Sequence, residues 1–173
     1  RHRELLSKLI TPLANEAEEK FAQAQTLYRT HDNGLCAQEL GAVFERVRTH
    51  ELGWTLFGQL LVRMGQPMLA REAFARAARF ALDKKNLEAY AVAMVHLSHL
   101  ERVVGNYQRA YDLMAEVQTT IGRKSSLYPW VRYELLKAFW VLSKKTYSPF
   151  KMWYDLQKLF KDWPELRDEV AVL

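Results

Sequence analysis

The sequence predicts an all-α chain of antiparallel helical hairpins, on three observations. The five prolines each stand where a helix-period apolar pattern begins, and Asn33-Gly34, Gly65, Gly105 and Gly122 stand where such patterns end. Proline suits a first helical turn, whose N–H lacks an intrahelical partner, and glycine suits the residue just past a helix. The segments left between these marks are only two to five residues long, so consecutive helices must fold back on one another. Seven glycines and five prolines in 173 residues are also too few turn residues for a β-rich protein of this size.

Taken in order, the marks predict about nine helices. Pro12 opens the first, over about 12–31, with a short helical turn at 3–10 ahead of it; Ala17, Phe21 and Ala24 give it one small-and-apolar face. The second, about 35–49, follows Asn33-Gly34 and carries Leu40, Gly41 and Phe44. The third, about 51–64, is read from Trp54, Phe57, Gly58 and Leu61 and ends at Gly65. Pro67 starts the fourth, about 67–83, with Ala70, Phe74 and Ala77. The fifth, about 86–104, holds Leu97 and Ser98 and stops at Gly105. The sixth, about 107–122, holds Ala110, Met114 and Val117. Pro129, Pro149 and Pro164 then open helices over about 128–146, 149–162 and 164–172.

Hydrophobic residues at 49% and charged residues at 26% place the chain among folded globular proteins. No apolar run approaches the ~18 residues needed to cross a bilayer, so no membrane association is expected. The single cysteine, Cys36, rules out an intrachain disulfide and a cysteine-built metal site, and points to a reducing, cytoplasmic location. No signal-peptide pattern opens the chain. It begins at Arg1 without a methionine, so the expectation is one continuous domain, 1–173, cut from a longer protein.

The helices repeat. Trp54, Phe57, Gly58 and Leu61 follow the spacing W-x2-L-G-x2-Y, and Ala70, Phe74 and Ala77 follow A-x3-F-x2-A. Small Gly58 and Ala70 allow close helix approach, while Trp54, Leu61 and Phe74 fill the remaining space. At an offset of 40 residues Gly65 recurs as Gly105, Ala70 as Ala110, Phe74 as Met114 and Phe57 as Leu97. Ser98 takes the small slot of Gly58 and Val117 that of Ala77. This pattern resembles the tetratricopeptide repeat family, best over 51–83 and 86–122. The resemblance implies hairpins stacked into a right-handed superhelix whose concave face binds a protein or peptide. The 40-residue offset exceeds the family's usual 34, and is similar to lengthened repeats in the regulatory segments of bacterial transcription factors, including the maltose-regulator and peptide-sensing classes. A regulatory context, transcription included, is what that similarity implies. At 128–172 the copy degenerates or becomes a cap: Glu134 and Lys137 stand where the repeat wants apolar residues.

On the concave reading, Thr55, Gln59, Val62 and Arg63 of the third helix face the groove, with Val95, His96, His99 and Arg102 of the fifth. Arg63 and Arg102 read either as a clamp on a carboxylate of the ligand or, the commoner case for exposed arginines, as solvated surface residues. His96 and His99, three apart, have metal-ligand spacing but lack further ligands nearby, so they read as hydrogen-bonded groove residues able to make binding pH-sensitive. No cofactor is expected. Arg71, Arg76, Arg79, Lys84 and Lys85 read as a solvated convex stripe.

Charge is lopsided. From Arg123 to Lys161 nine basic residues stand against two acidic ones, a surplus of +7 in a chain of net +5. Arg132, Lys137, Lys144 and Lys145 form the candidate patch for an anionic partner. The overlapping stretch 128–163 holds four of the five tryptophans, interleaved with lysines. Three readings follow: a single-stranded nucleic-acid surface, a protein hot spot, or a terminal core whose lysines are solvated. The helical spacing of Trp130, Tyr133 and Trp140, and of Phe150, Trp153 and Phe160, favours the core. A homo-oligomer built on these terminal helices is a further alternative. No Ser/His/Asp arrangement, phosphate-cradling glycine loop, HExxH or carboxylate pair in an apolar setting speaks for an enzyme. Cys36 reads either as a thiol activated by a helix N-terminus or, more commonly for the residue, as a buried structural side chain.

Overall fold

A computed structural model of the chain describes residues 2–143 and 148–170. Among these residues the protein is entirely helical: α1 (His2–Arg29), α2 (Asn33–Arg46), α3 (Glu51–Arg63), α4 (Pro67–Asp83), α5 (Leu87–Val103), α6 (Tyr107–Ile121), α7 (Tyr128–Leu142), α8 (Pro149–Asp162) and α9 (Pro164–Val170). Successive helices pair as hairpins, and the chain divides into two compact units, Arg1–Lys85 and Asn86–Leu173. The division falls at a turn in which Lys85 takes the left-handed conformation, φ +59.

In the first unit α1 pairs with α2 and α3 with α4, and α3 also packs on both α1 and α2. Its core joins Ala17, Phe21 and Ala24 of α1 to Cys36, Leu40 and Val43 of α2 and Leu56 and Leu60 of α3. Each hairpin has a point of closest approach. The Cys36 thiol donates to the Ala24 carbonyl at 3.4 Å. Gly58 and Ala70 are both buried, and a β-carbon on Gly58 would lie 2.4 Å from the Phe74 ring. Trp54 stacks on Phe44 with ring centroids 4.4 Å apart and donates its indole N–H to the Arg48 carbonyl. Burial raises the Cys36 pKa, so the thiol is the buried structural cysteine of the two alternatives.

The second unit repeats the scheme. α5 pairs with α6, α7 packs on both α6 and α5, and α8 and α9 follow on from α7. The small slot is filled by Ser98, whose hydroxyl donates to the Ala110 carbonyl at 3.0 Å across the hairpin. Leu136 of α7, Leu159 of α8 and Leu166 of α9 form a terminal core with Trp130, Tyr133, Phe160 and Trp163 against it.

The hairpin turns share one geometry. The amides of Asp32, Gln66 and Asn106 donate to the carbonyls of Leu27, Leu61 and Glu101, five residues back. The preceding residues His31, Gly65 and Gly105 all have positive φ, as a Schellman cap requires. Positions 31 and 65 are 34 residues apart, whereas 65 and 105 are 40 apart. The first interval escapes a glycine-based reading because a histidine holds the left-handed position. Glu101, fully buried, closes the third turn with its carboxylate, which accepts from the Asn106 side-chain amide at 2.7 Å and pairs with Arg109 at 3.4 Å.

Four expected boundaries move: Asn33-Gly34 opens α2 instead of ending the helix before it, α7 ends at Leu142, four residues early, and two more shift as follows. Pro12 does not start a helix; α1 runs from His2 straight through it. A proline inside a helix removes one hydrogen bond; this one is exposed, next to an exposed Leu13. α2 stops at Arg46, three residues early, because Val47 turns extended and His50 caps α3 instead. The His50 ring is buried: Nδ1 accepts from the Gly53 amide at 2.9 Å while Nε2 meets Glu18 of α1 at 3.0 Å. Nothing in the spacing of the sequence marks His50 for this role, since a histidine is a rare cap.

Candidate functional site

The residues expected to face a partner lie on both units. In the first, Thr55 is buried and its hydroxyl returns to the Glu51 carbonyl of its own helix, so it belongs to the packed side of α3 and not to a groove. The expectation counted it off the packing stripe; helix α3 is buried on a wider arc than Trp54, Phe57 and Leu61 alone imply. Gln59 is half-buried, and Val62 is exposed. Arg63 is half-buried and engaged: its guanidinium lies 3.6 Å from the Tyr28 ring centroid, donates to the Tyr28 carbonyl at 2.7 Å and reaches Asn33 at 3.3 Å. It ties the end of α3 to the α1–α2 turn, adding a second donor to a Tyr28 carbonyl that also accepts from the His31 amide.

In the second unit the predicted residues converge with two that seemed out of place. Arg102 of α5 approaches the Glu134 carboxylate of α7 at 3.7 Å and donates toward His99 Nδ1 at 2.9 Å. Lys137, one turn on from Glu134, pairs with the same carboxylate and lies 4.3 Å from the Tyr133 ring centroid. Glu134 is buried. The acid and the lysine that break the apolar repeat pattern are therefore the two halves of an ion pair completed by Arg102, which a reading of one helix at a time does not connect. Burial holds the pKa of His96 below its usual range, with His99 adding to the effect. Burial does the same for His99, with the neighbouring Arg102 charge adding. The cluster thus combines one acid, two permanent cations and two histidines biased toward neutrality. Among the described residues no group of three or more His, Cys, Asp or Glu side chains is arranged to hold a metal.

The candidate basic patch separates. Lys137 is committed to Glu134, and Arg132 donates to the Gln118 side chain at 3.2 Å. Lys144 and Lys145 lie outside the described residues. On the first unit Arg76 pairs with Glu72 and sits 5.0 Å from the Trp54 ring centroid, and Lys84 donates to the Thr49 carbonyl at 2.8 Å. These two are tied down on the stripe that was expected to be simply solvated.

The aromatic segment also divides, and not as its spacing suggests. Trp130, Tyr133 and Phe160 pack into the terminal core. Phe150, Trp153 and Tyr154 of α8 remain 74, 56 and 58% exposed, and Phe139 and Trp140 at the end of α7 are exposed as well. Trp140, Phe150 and Trp153 were expected in the core. Helical spacing places Phe150, Trp153 and Phe160 near one another on α8, but only Phe160, with Leu156 and Leu159, reaches the terminal core. The exposed side is a continuous aromatic ridge in which Phe150 and Trp153 have ring centroids 6.1 Å apart.

Among the described residues no helix is long and apolar enough to cross a membrane. Neither a protein-family model nor a curated protein matches the chain.

Proposed function

We propose that the chain is a protein- or peptide-binding module of the tetratricopeptide type, within a larger regulatory protein, and that α8 presents its main contact. The observation that carries this reading is the exposed ridge of Phe150, Trp153 and Tyr154. Three large aromatics on one face of one helix are costly to leave in water and are the side chains that dominate protein interfaces. Hairpin turns recurring at intervals of 34 and 40 residues, with α3 and α7 each seated on the two helices before it, support the repeat architecture. A nucleic-acid surface would need free cations beside the aromatics. The commitment of Lys137 to Glu134 withdraws one cation from such a surface and favours a protein partner instead.

The test is selection of peptides from a random displayed library on the full chain, followed by titration of the selected peptides. Binding in the micromolar range, about −8 kcal/mol, that weakens at least about tenfold in the Phe150→Ser/Trp153→Ser variant supports the proposal. A single-stranded oligonucleotide that binds tightly, with affinity falling steeply in salt, while no peptide is enriched, would overturn it.

A further inference from the structure

The second unit contains a cleft of about 480 Å³ that neither the aromatic ridge nor the Glu134 cluster uses. A volume of that order is typical of a small-molecule site. Tyr128, Arg132 and Leu136, one turn apart along α7, form one wall, and Arg123 from the α6–α7 connection extends it. Asp155, Lys158, Leu159 and Asp162 form the facing wall on a single stripe of α8, and Trp163 closes one end against Tyr128 with ring centroids 5.6 Å apart.

The charges are sorted between the walls. The α7 side carries two arginines, and the α8 side carries two carboxylates partly offset by Lys158. Arg132 is held in place: one of its N–H groups donates to Gln118, whose own amide donates to the Tyr128 hydroxyl at 3.2 Å. That leaves the rest of the guanidinium fork to meet an anion in the bidentate manner arginine favours. Leu136, Leu159 and the Trp163 ring supply an apolar floor.

From this sorting we infer that the cleft binds a zwitterion with an apolar side chain, a free α-amino acid or a short peptide read at both ends. The carboxylate meets Arg132 and Arg123, the ammonium meets Asp162 and Asp155, and the side chain lies on Leu136, Leu159 and Trp163. A phosphate dianion is disfavoured by the two carboxylates, a simple cation by the three basic groups, and an uncharged apolar ligand gains nothing from either set.

The experiment is titration calorimetry on the full chain with L-phenylalanine, the dipeptide Leu-Phe, N-acetyl-L-phenylalanine, L-phenylalaninamide and inorganic phosphate. The expected result is binding of the amino acid or the dipeptide, whichever fits naming the source. Each capped analogue, which lacks one charge, should bind about tenfold or more weakly. Arg132→Gln and Asp162→Asn should each weaken the zwitterion while matching the wild type in helicity. Should Arg132→Gln disturb the Gln118–Tyr128 contact and the fold, the exposed Arg123→Gln serves in its place. Absence of binding by both zwitterions, equal binding of the capped analogues, or preference for phosphate would each overturn the assignment.

Discussion

Gly58 and Phe74 are packed so closely that a β-carbon on the glycine would lie 2.4, 2.6 and 2.9 Å from three atoms of the phenylalanine ring. Phe74 is buried and cannot swing away. Gly58→Ala therefore forces α3 and α4 apart or drives the ring off its rotamer. Overpacking of this kind costs about 1–3 kcal/mol, against which the better helix propensity of alanine returns up to about 1 kcal/mol. The net expectation is a loss of stability in urea unfolding, relieved when Phe74→Leu is added. A Gly58→Ala variant as stable as the parent would show that the helices are not held at this distance.

That contact was legible in the sequence because both of its members carry the repeat's signature, one small and one large, at a fixed spacing. The same logic located the turns at Gly65 and Gly105. It failed at His31, where a non-glycine residue adopts positive φ, and at Pro12, whose exposed position lets a helix run through it. The candidate site was less legible. Spacing grouped Phe150, Trp153 and Phe160 on one helix but did not say that only Phe160 would find a partner in the core. It also could not pair Arg102 with Glu134, since the contact joins residues 32 apart on different helices.

Arg63 is expected to be structural in the first instance. Arg63→Ala removes the stacking on Tyr28 and the donor to its carbonyl, together worth about 1.5–3 kcal/mol. Arg63→Lys should recover less than half of that loss, because an ammonium cannot stack as a plane and donate sideways together. Urea midpoints of the two variants check this. Full recovery by lysine would reduce the role of Arg63 to its charge.

The Glu134 cluster makes the opposite kind of prediction. Glu134→Gln leaves Arg102 and Lys137 facing each other without a carboxylate, and breaking a buried pair from one side is strongly destabilising, by about 3 kcal/mol. Replacing all three together, Glu134→Leu with Arg102→Met and Lys137→Met, should restore most of the stability. Buried ion pairs return little more than their desolvation cost. If the triple variant is as unstable as Glu134→Gln, the three groups are not acting as one unit.

His96 and His99 should make the second unit sensitive to acid. Both have folded-state pKa values below the ordinary 6.5, so between the folded and unfolded values the unfolded chain binds more protons. Their stabilising contribution is then fully present above pH 6.5 and is lost as pH falls below it. Each histidine can add at most about 1.4 kcal/mol per pH unit to the slope. Every charged group of the cluster bears on this: Arg102 and Lys137 oppose protonation of His99, while Glu134 favours it for both rings. Unfolding in urea at a series from about pH 7.5 to about pH 5.5 should show the parent losing stability faster than a His96→Gln/His99→Gln variant. The rest of the chain is the same in both proteins, so the difference between the two curves isolates this pair. Parallel curves would mean that neither ring is protected from protonation, and a parent that gains stability on acidification would reverse the sign argued here.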